Sequence, residues 1–188
     1  EWGGTTHIDG NLRSLQICWK AGQVAYLRFR EMGGKWAFDE PMVDVFRILA
    51  AFLNDKRFNF IGHNISADLV WIQSHIGVDT YRRSQFDTMH AEFLMDEYAD
   101  LKLERLSMKY TDLGRYDIDL FLAKKRLKLT KDEGYERIPD DVLIPYACKD
   151  VDVVMRAWPI LLEKLYKAEL QDYYFDIALP YVSDGFAI

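Results

Sequence analysis

Glu1, Asp68 and Asp150 are the residues of this chain best suited to chemistry, and they stand far apart, each in a distinctive local setting. Asp68 closes the segment His63-Asn64-Ile65-Ser66-Ala67-Asp68, and Asp150 closes Tyr146-Ala147-Cys148-Lys149-Asp150. Carboxylates are hard oxygen donors, and several of them converging from distant segments hold Mg²⁺ or Mn²⁺ for phosphoryl chemistry. Tyr146 sharpens the expectation. Positions i and i+4 share one helix face, so its phenol and the Asp150 carboxylate look into the same cleft. Taken singly, each residue has a plainer reading: Asp68 and Asp150 as solvated helix positions, Tyr146 as a core aromatic, Glu1 as a frayed terminus.

The elements that must position these groups follow from periodicity. Leu12 to Trp19 alternates, with Leu15, Ile17 and Trp19 on one face; Ala21-Gly22-Gln23 is a turn, and Val24 to Phe29 reads as the return strand of a hairpin. Between Pro41 and Leu53, apolar Val45, Ile48, Leu49 and Phe52 recur at helical spacing, with Pro41 suited to a first helical position. Phe58 to Gly62 is a short buried strand. Asn64 then caps a helix that carries Asp68, Leu69, Ile72 and Ile76. Ser84-Gln85-Phe86 is a further short strand, and Asp87 before Thr88 reads as a helix cap rather than a ligand. Leu101–Tyr110 and Ile118–Leu127 are amphipathic, whereas Leu129–Asp140 is charged, broken by Gly134 and Pro139, and reads as an exposed connection. A long helical region runs from about Pro145 to Leu170, with Pro159 starting a new segment or kinking it. Asp152, two residues past Asp150, points to a different side of that helix and is left out of the catalytic set.

Composition bounds the answer. A chain of 188 residues, 49% apolar and 29% charged, is one globular domain able to bury a core. The longest apolar stretch, Val43–Leu53, is interrupted by Arg47, so no membrane span is expected. Cys18 and Cys148 lie far apart with no C-x-x-C spacing and read as buried free thiols of a reducing compartment. A net charge of −6 excludes a nonspecific basic nucleic-acid-coating protein. It does not exclude an enzyme acting on phosphates, because bound cations reverse the local field of their carboxylate ligands. Phosphate-loop and serine-hydrolase motifs are missing.

In order, spacing and surroundings the segments resemble the exonuclease motifs of the DEDD superfamily, specifically its tyrosine-containing branch. They are most similar to the 3′→5′ exonuclease domain of family A, polymerase I-like, DNA polymerases. The stretch from Gly62 to Leu69 resembles that family's H-N-x-x-(F/Y)-D motif, with Ala67 in place of the aromatic. Tyr146 to Val153 follows Y-A-x-x-D-A-D-V, Phe86-Asp87-Thr88-Met89 resembles F-D-T-M, and Leu103 to Thr111 resembles L-x-x-L-x-x-K-Y. Trp158-Pro159 falls where polymerase I relatives carry a similar pair.

The resemblance implies an α/β, ribonuclease-H-like mixed sheet flanked by helices, with a helix-rich second half. It makes Glu1 the glutamate of a D-x-E motif on the opening strand, Asp68 and Asp150 the further ligands of two Mg²⁺ or Mn²⁺ ions, and Tyr146 the group that positions the attacking water. Asn64 and the backbone around Trp2 and Gly3 would meet the 3′-terminal nucleotide; His63, at the border of this motif, is placed either to approach the substrate or to pack. The implied partner is a single-stranded or frayed DNA 3′ end, with a polymerase domain in the same parent chain. The implied setting is intracellular, cytoplasmic or nucleoid-associated, with organelle and virus origins open. Residues 1–188 are accordingly expected to form a single exonuclease domain that lacks its first strand and is followed by the polymerase, approached through Leu179–Gly185. A ribonuclease-D-like RNA exonuclease and a noncatalytic DNA-binding or structural domain stay open as alternatives.

Overall fold

Alternating apolar residues between Leu12 and Phe29 build the hairpin on which the first half of the molecule packs. The computed structural model describes residues 1–3, 6–8, 10–80, 83–130 and 135–184. A short antiparallel pair, β1 (Trp2–Gly3) and β2 (Asn11–Leu12), leads into β3 (Ser14–Lys20) and β4 (Gln23–Arg28). In the hairpin Ser14 faces Arg28 and Ile17 faces Ala25, with a register shift between Cys18 and Lys20 at the tip. Gly22 turns the chain at φ +77°, a conformation that side chains with a Cβ rarely adopt. Leu15 and Ile17 pack against the core as their alternation predicts, but Trp19 is exposed at the hairpin end, where its indole N–H donates to Gln23.

Two helices cover this region. In α1 (Met42–Leu53) the buried residues are Phe46, Leu49 and Leu53, while Ile48 and Phe52 are exposed. The packed stripe is therefore rotated by about one residue from the sequence expectation. The reason lies in the aromatic partners: Phe46 meets Phe29 and Trp36 edge-on, at centroid separations of 5.1 and 5.7 Å, and those contacts fix which face turns inward. Strands β5 (Phe60–Gly62) and β6 (Ser84–Asp87) run parallel, joined through α2 (Ile65–Ile76), as a parallel pair requires a crossover. Gly62 permits the tight strand-to-helix step, since a Cβ there would lie 2.6 Å from the Cβ of Ile65.

Among the described residues the strands form three two-stranded ladders, two antiparallel and one parallel, rather than one continuous hydrogen-bonded sheet. Backbone bonds from Glu1 to Arg13 and Ser14 carry the pairing between β1 and the start of β3. The result is a mixed α/β fold.

The second half is helical: α3 (Thr88–Met95), α4 (Leu103–Tyr110), α5 (Ile118–Leu127) and the 28-residue α6 (Asp140–Lys167). A short α7 (Gln171–Tyr173), a π-helical turn over Tyr174–Ala178 and α8 (Leu179–Asp184) follow. Helix α6 starts five residues before Pro145 and passes Pro159 without ending. Both prolines are on its exposed side, where the carbonyls they leave unpaired can meet water. The segment before it is not simply an exposed connection either. Ile138 is fully buried and Tyr135 half-buried, while residues 131–134 lie outside the described residues, as does Gly185 of the closing segment.

Arg13 explains that order. Its side chain, 1% exposed, donates to the carbonyls of Tyr135 and Ile138 and to Asp140 Oδ1 at 2.7 Å, pinning the start of α6 to the hairpin. Three buried clusters result. One lies under the hairpin, α1 and α2; a second joins β6, α3, α4 and α6; a third joins α5 to the start of α6. Cys18 and Cys148 are free, half-buried thiols whose pKa burial raises, which makes them poor nucleophiles. Among the described residues no helix is long and apolar enough to cross a membrane.

Candidate active site

Three elements from opposite ends of the chain supply the carboxylates. Glu1 immediately precedes β1; its backbone N–H donates to Ser14 at 3.0 Å and its carbonyl accepts from Arg13 and Ser14, so strand pairing fixes its place. Asp68 lies in the first turn of α2, and Asp150 lies near the middle of α6, one turn after Tyr146. The charge of Glu1 acts on both Asp68 and Asp150, and Tyr135 feels all three carboxylates. Each is within electrostatic reach of the others' surroundings.

The segment holding Asp68 is fastened by Asp87. This carboxylate is fully buried and accepts from the amides of Asn64 (3.1 Å) and Ile65 (2.8 Å) as well as those of Met89 (2.9 Å) and His90 (3.3 Å). One side chain thus satisfies the N-termini of α2 and α3 together. Burial pushes the Asp87 carboxyl up, but His90 and the surrounding amides overcome it and hold the group below the ordinary carboxylate range. The sequence reading made Asn64 the cap of α2. Asn64 occupies that position at φ 55°, ψ 46°, yet its side chain makes no capping bond; Asp87 does the work from across the sheet, and the Asn64 side chain is left exposed. On the other side of Asp87, its N–H donates to the Tyr174 hydroxyl at 2.7 Å, and that hydroxyl donates to its carbonyl at 3.0 Å.

His63 is committed internally. Nε2 donates to the Leu101 carbonyl at 2.8 Å, and Nδ1 lies 3.0 Å from Thr88 Oγ1, whose hydroxyl also reaches the Gly62 carbonyl at 3.1 Å. Burial lowers its pKa. Trp2 is likewise engaged: its indole stacks on Trp71 at 5.0 Å, and its carbonyl accepts from Tyr135 at 3.1 Å. Of the three residues assigned to the nucleotide, Asn64 has the freest side chain.

Around Asp150 the structure assembles residues that no motif marks. The Tyr116 hydroxyl donates to Asp150 Oδ1 at 2.5 Å, and Tyr146 also hydrogen-bonds this carboxylate. The Tyr146 ring stacks between Tyr116, at 5.7 Å, and Tyr135, at 6.3 Å. Lys124 on α5 places its Nζ 4.3 Å from the Tyr135 ring centroid. Sequence reasoning missed Tyr116, Tyr135 and Lys124. A clue existed only in the concentration of aromatic and basic residues between Tyr116 and Tyr135.

The electrostatics describe a site short of positive charge. Burial raises Asp150 well above the usual carboxylate range, with the Glu1 charge adding to the rise and both tyrosines opposing it. Asp68 is pushed up to about 6, first by desolvation and then by the charges of Glu1 and Asp87, with the Glu1 ammonium opposing. The Asp68 side chain nonetheless keeps an exposed face, so water screens part of this shift. Burial raises Tyr146 above its ordinary pKa, and Asp150 adds to it, so the phenol stays protonated. Among the described residues no three His, Cys, Asp or Glu side chains gather closely enough to enclose an ion. In chemistry, however, the donor set fits a hard divalent cation: oxygen ligands only, with the charged forms of Asp68 and Asp150 disfavoured by burial and by neighbouring charge.

Two other features are structural. Asp152 accepts from Gly22 N–H at 2.7 Å and from Arg156 at 3.1 Å, tying the hairpin tip to α6 on a different side from Asp150. An open cavity of about 760 Å³ is bordered by Lys109, Asp112, Arg156 and Lys164, but those cations bond Glu92, Asp112 and Tyr110, and none of the three carboxylates lines it.

The chain belongs to the 3′–5′ exonuclease family of the family A DNA polymerases: the family's sequence profile matches residues 4–166, which include Asp68, Tyr146 and Asp150. It is also 33% identical over 143 residues to the DNA polymerase of Escherichia phage T5, an overlap covering 70% of this chain and 17% of that polymerase. The chain therefore spans less than a fifth of the length of that relative.

Proposed function

We propose that this chain removes nucleotides from DNA 3′ ends by hydrolysing the terminal phosphodiester, and that it proofreads for a family A polymerase in a longer parent chain. What supports the reading is the match of the exonuclease family's profile over residues 4–166, which include Asp68 and, one helical turn apart on α6, Tyr146 and Asp150. On this reading the short ladders are parts of a ribonuclease-H-like sheet. Glu1, Asp68 and Asp150 would hold two divalent cations, Mg²⁺ or Mn²⁺. When bound, such ions acidify water and neutralise the charge that develops on the leaving 3′ oxygen. Tyr146, kept protonated by its surroundings and bonded to Asp150, would orient the water through its hydroxyl oxygen rather than remove its proton. The exposed Asn64 side chain reaches the terminal nucleotide, while His63 holds the turn that presents it.

The likeness to a phage DNA polymerase favours DNA over RNA as substrate. Matched DNA and RNA strands, labelled at the 5′ end and incubated with Mg²⁺, test this directly. Stepwise shortening of the DNA from its 3′ end is expected. Faster degradation of RNA would make the chain a ribonuclease-D-like enzyme, and binding without cleavage of either strand would make it a noncatalytic domain.

A further inference from the structure

We infer that Lys124 is a DNA-positioning residue that contacts the phosphate of the 3′-terminal linkage; the inference rests on the exonuclease reading and adds a contact to it. Lys124 belongs to α5, on which Leu120 and Ala123 are buried against the start of α6. That packing brings a half-buried ammonium onto the outer face of the Tyr135–Tyr146–Tyr116 stack, whose far end bonds Asp150. The charges of Glu1 and Asp150 reach it, yet it forms no salt bridge with either. Burial opposes its charge and those carboxylates favour it.

A lysine held this way has positive charge to offer and, among the described residues, no carboxylate paired with it. Other partly buried cations near the helical half are spent on carboxylates, as Arg13 is on Asp140, Lys109 on Glu92 and Arg156 on Asp152. A phosphodiester presented to Glu1 and Asp150 brings an anion to the edge of the tyrosine stack, within reach of a flexible four-carbon stem. The cation–π contact at 4.3 Å pre-orders that stem and lowers the entropy lost when the phosphate arrives. Lys125, next in sequence, is exposed and faces away from this packed side, which makes it an internal control.

The test is equilibrium binding of a single-stranded DNA oligonucleotide in EDTA, where cleavage cannot intervene, across a range of salt. Lys124→Met preserves side-chain length and packing, and should weaken binding about three- to tenfold while reducing the salt slope by about 0.7, the value for one phosphate contact on a single strand. Lys124→Arg should restore the slope. An oligonucleotide with an uncharged methylphosphonate at its last linkage should bind wild-type and Lys124→Met protein nearly equally. Lys125→Met should retain the distinction between the two oligonucleotides. An unchanged slope in Lys124→Met, or a loss equally large on the methylphosphonate strand, overturns the inference and leaves the exonuclease reading intact. Failure of the wild-type protein to bind any strand removes both.

Discussion

The Tyr116 hydroxyl donates to Asp150 Oδ1 at 2.5 Å, across 34 residues of sequence, and so stabilises negative charge on a carboxylate whose ionised form burial and then the Glu1 charge disfavour. This bond supplies part of what a cation would otherwise supply. Tyr116→Phe should leave Asp150 with a greater demand for a metal ion. A charge-assisted hydrogen bond is worth about 1.5–3 kcal/mol, of which water recovers part, so Mn²⁺ affinity should rise by about two- to tenfold. Calorimetric titration checks it, and weaker binding in the variant would show instead that Tyr116 orients Asp150 for the ion.

Tyr146→Phe separates the neighbouring phenol's role from metal binding. Its ring would stay stacked between Tyr116 and Tyr135, and only the hydroxyl is removed. Cleavage should slow by about 10- to 1,000-fold, in the range of a lost positioning hydrogen bond at a reacting group. Because this phenol also bonds Asp150, Mn²⁺ affinity should be retained or rise modestly, as in Tyr116→Phe. Loss of the metal by calorimetry would assign Tyr146 to the ligand shell instead.

Asp87 carries a structural prediction. Asp87→Asn keeps the size of the side chain but turns one acceptor into a donor facing backbone amides that are also donors. Four amides at two helix termini then compete for one oxygen, and the protein should lose about 2–4 kcal/mol of stability in urea unfolding. A midpoint unchanged from wild type would mean that water replaces the carboxylate at both helix ends.

His63 makes stability depend on pH in a defined direction. Its folded pKa is lowered from 6.5, chiefly by burial, so at neutral pH the ring is uncharged in both the folded and unfolded chain. As pH falls below about 6.5, the unfolded chain takes up a proton that the folded one resists, and stability drops until the lower folded pKa is passed. Urea midpoints measured from about pH 7.5 down to about pH 5.5 should fall in wild type and fall less steeply in His63→Gln. Equal slopes would show that other groups set the acid sensitivity.

How much of this was legible in the sequence depended on how far each cause lies from its effect. Asp68 and the Tyr146–Asp150 pair were legible because their meaning is local: a helix start, and two residues one turn apart. The family's motif residues carried the same information. Asp87 was half legible. Its cap on α3 is two and three residues away, but its bonds to Asn64 and Ile65 cross from β6 to the end of β5, which no local pattern records. Tyr116, Tyr135 and Lys124 converge only because α5 and the start of α6 pack together, with Arg13 holding that segment from the far end of the chain. The rotated face of α1 has the same origin: helical spacing identified its apolar residues, and the aromatic contacts of Phe46 decided which of them turned inward. Pro145 misled as a helix start, and Pro159 starts no new segment, because a proline breaks a helix less when its neighbours' freed carbonyls face solvent.

The account stands most directly on Asp150. A 5′-labelled single-stranded DNA, incubated with Mg²⁺ and either wild-type protein or Asp150→Ala, reads out the central claim in one gel, with circular dichroism to show that both proteins are folded. Wild type should shorten the strand from its 3′ end, and folded Asp150→Ala should leave it intact; degradation by the variant at the wild-type rate would contradict the assignment of this carboxylate to catalysis.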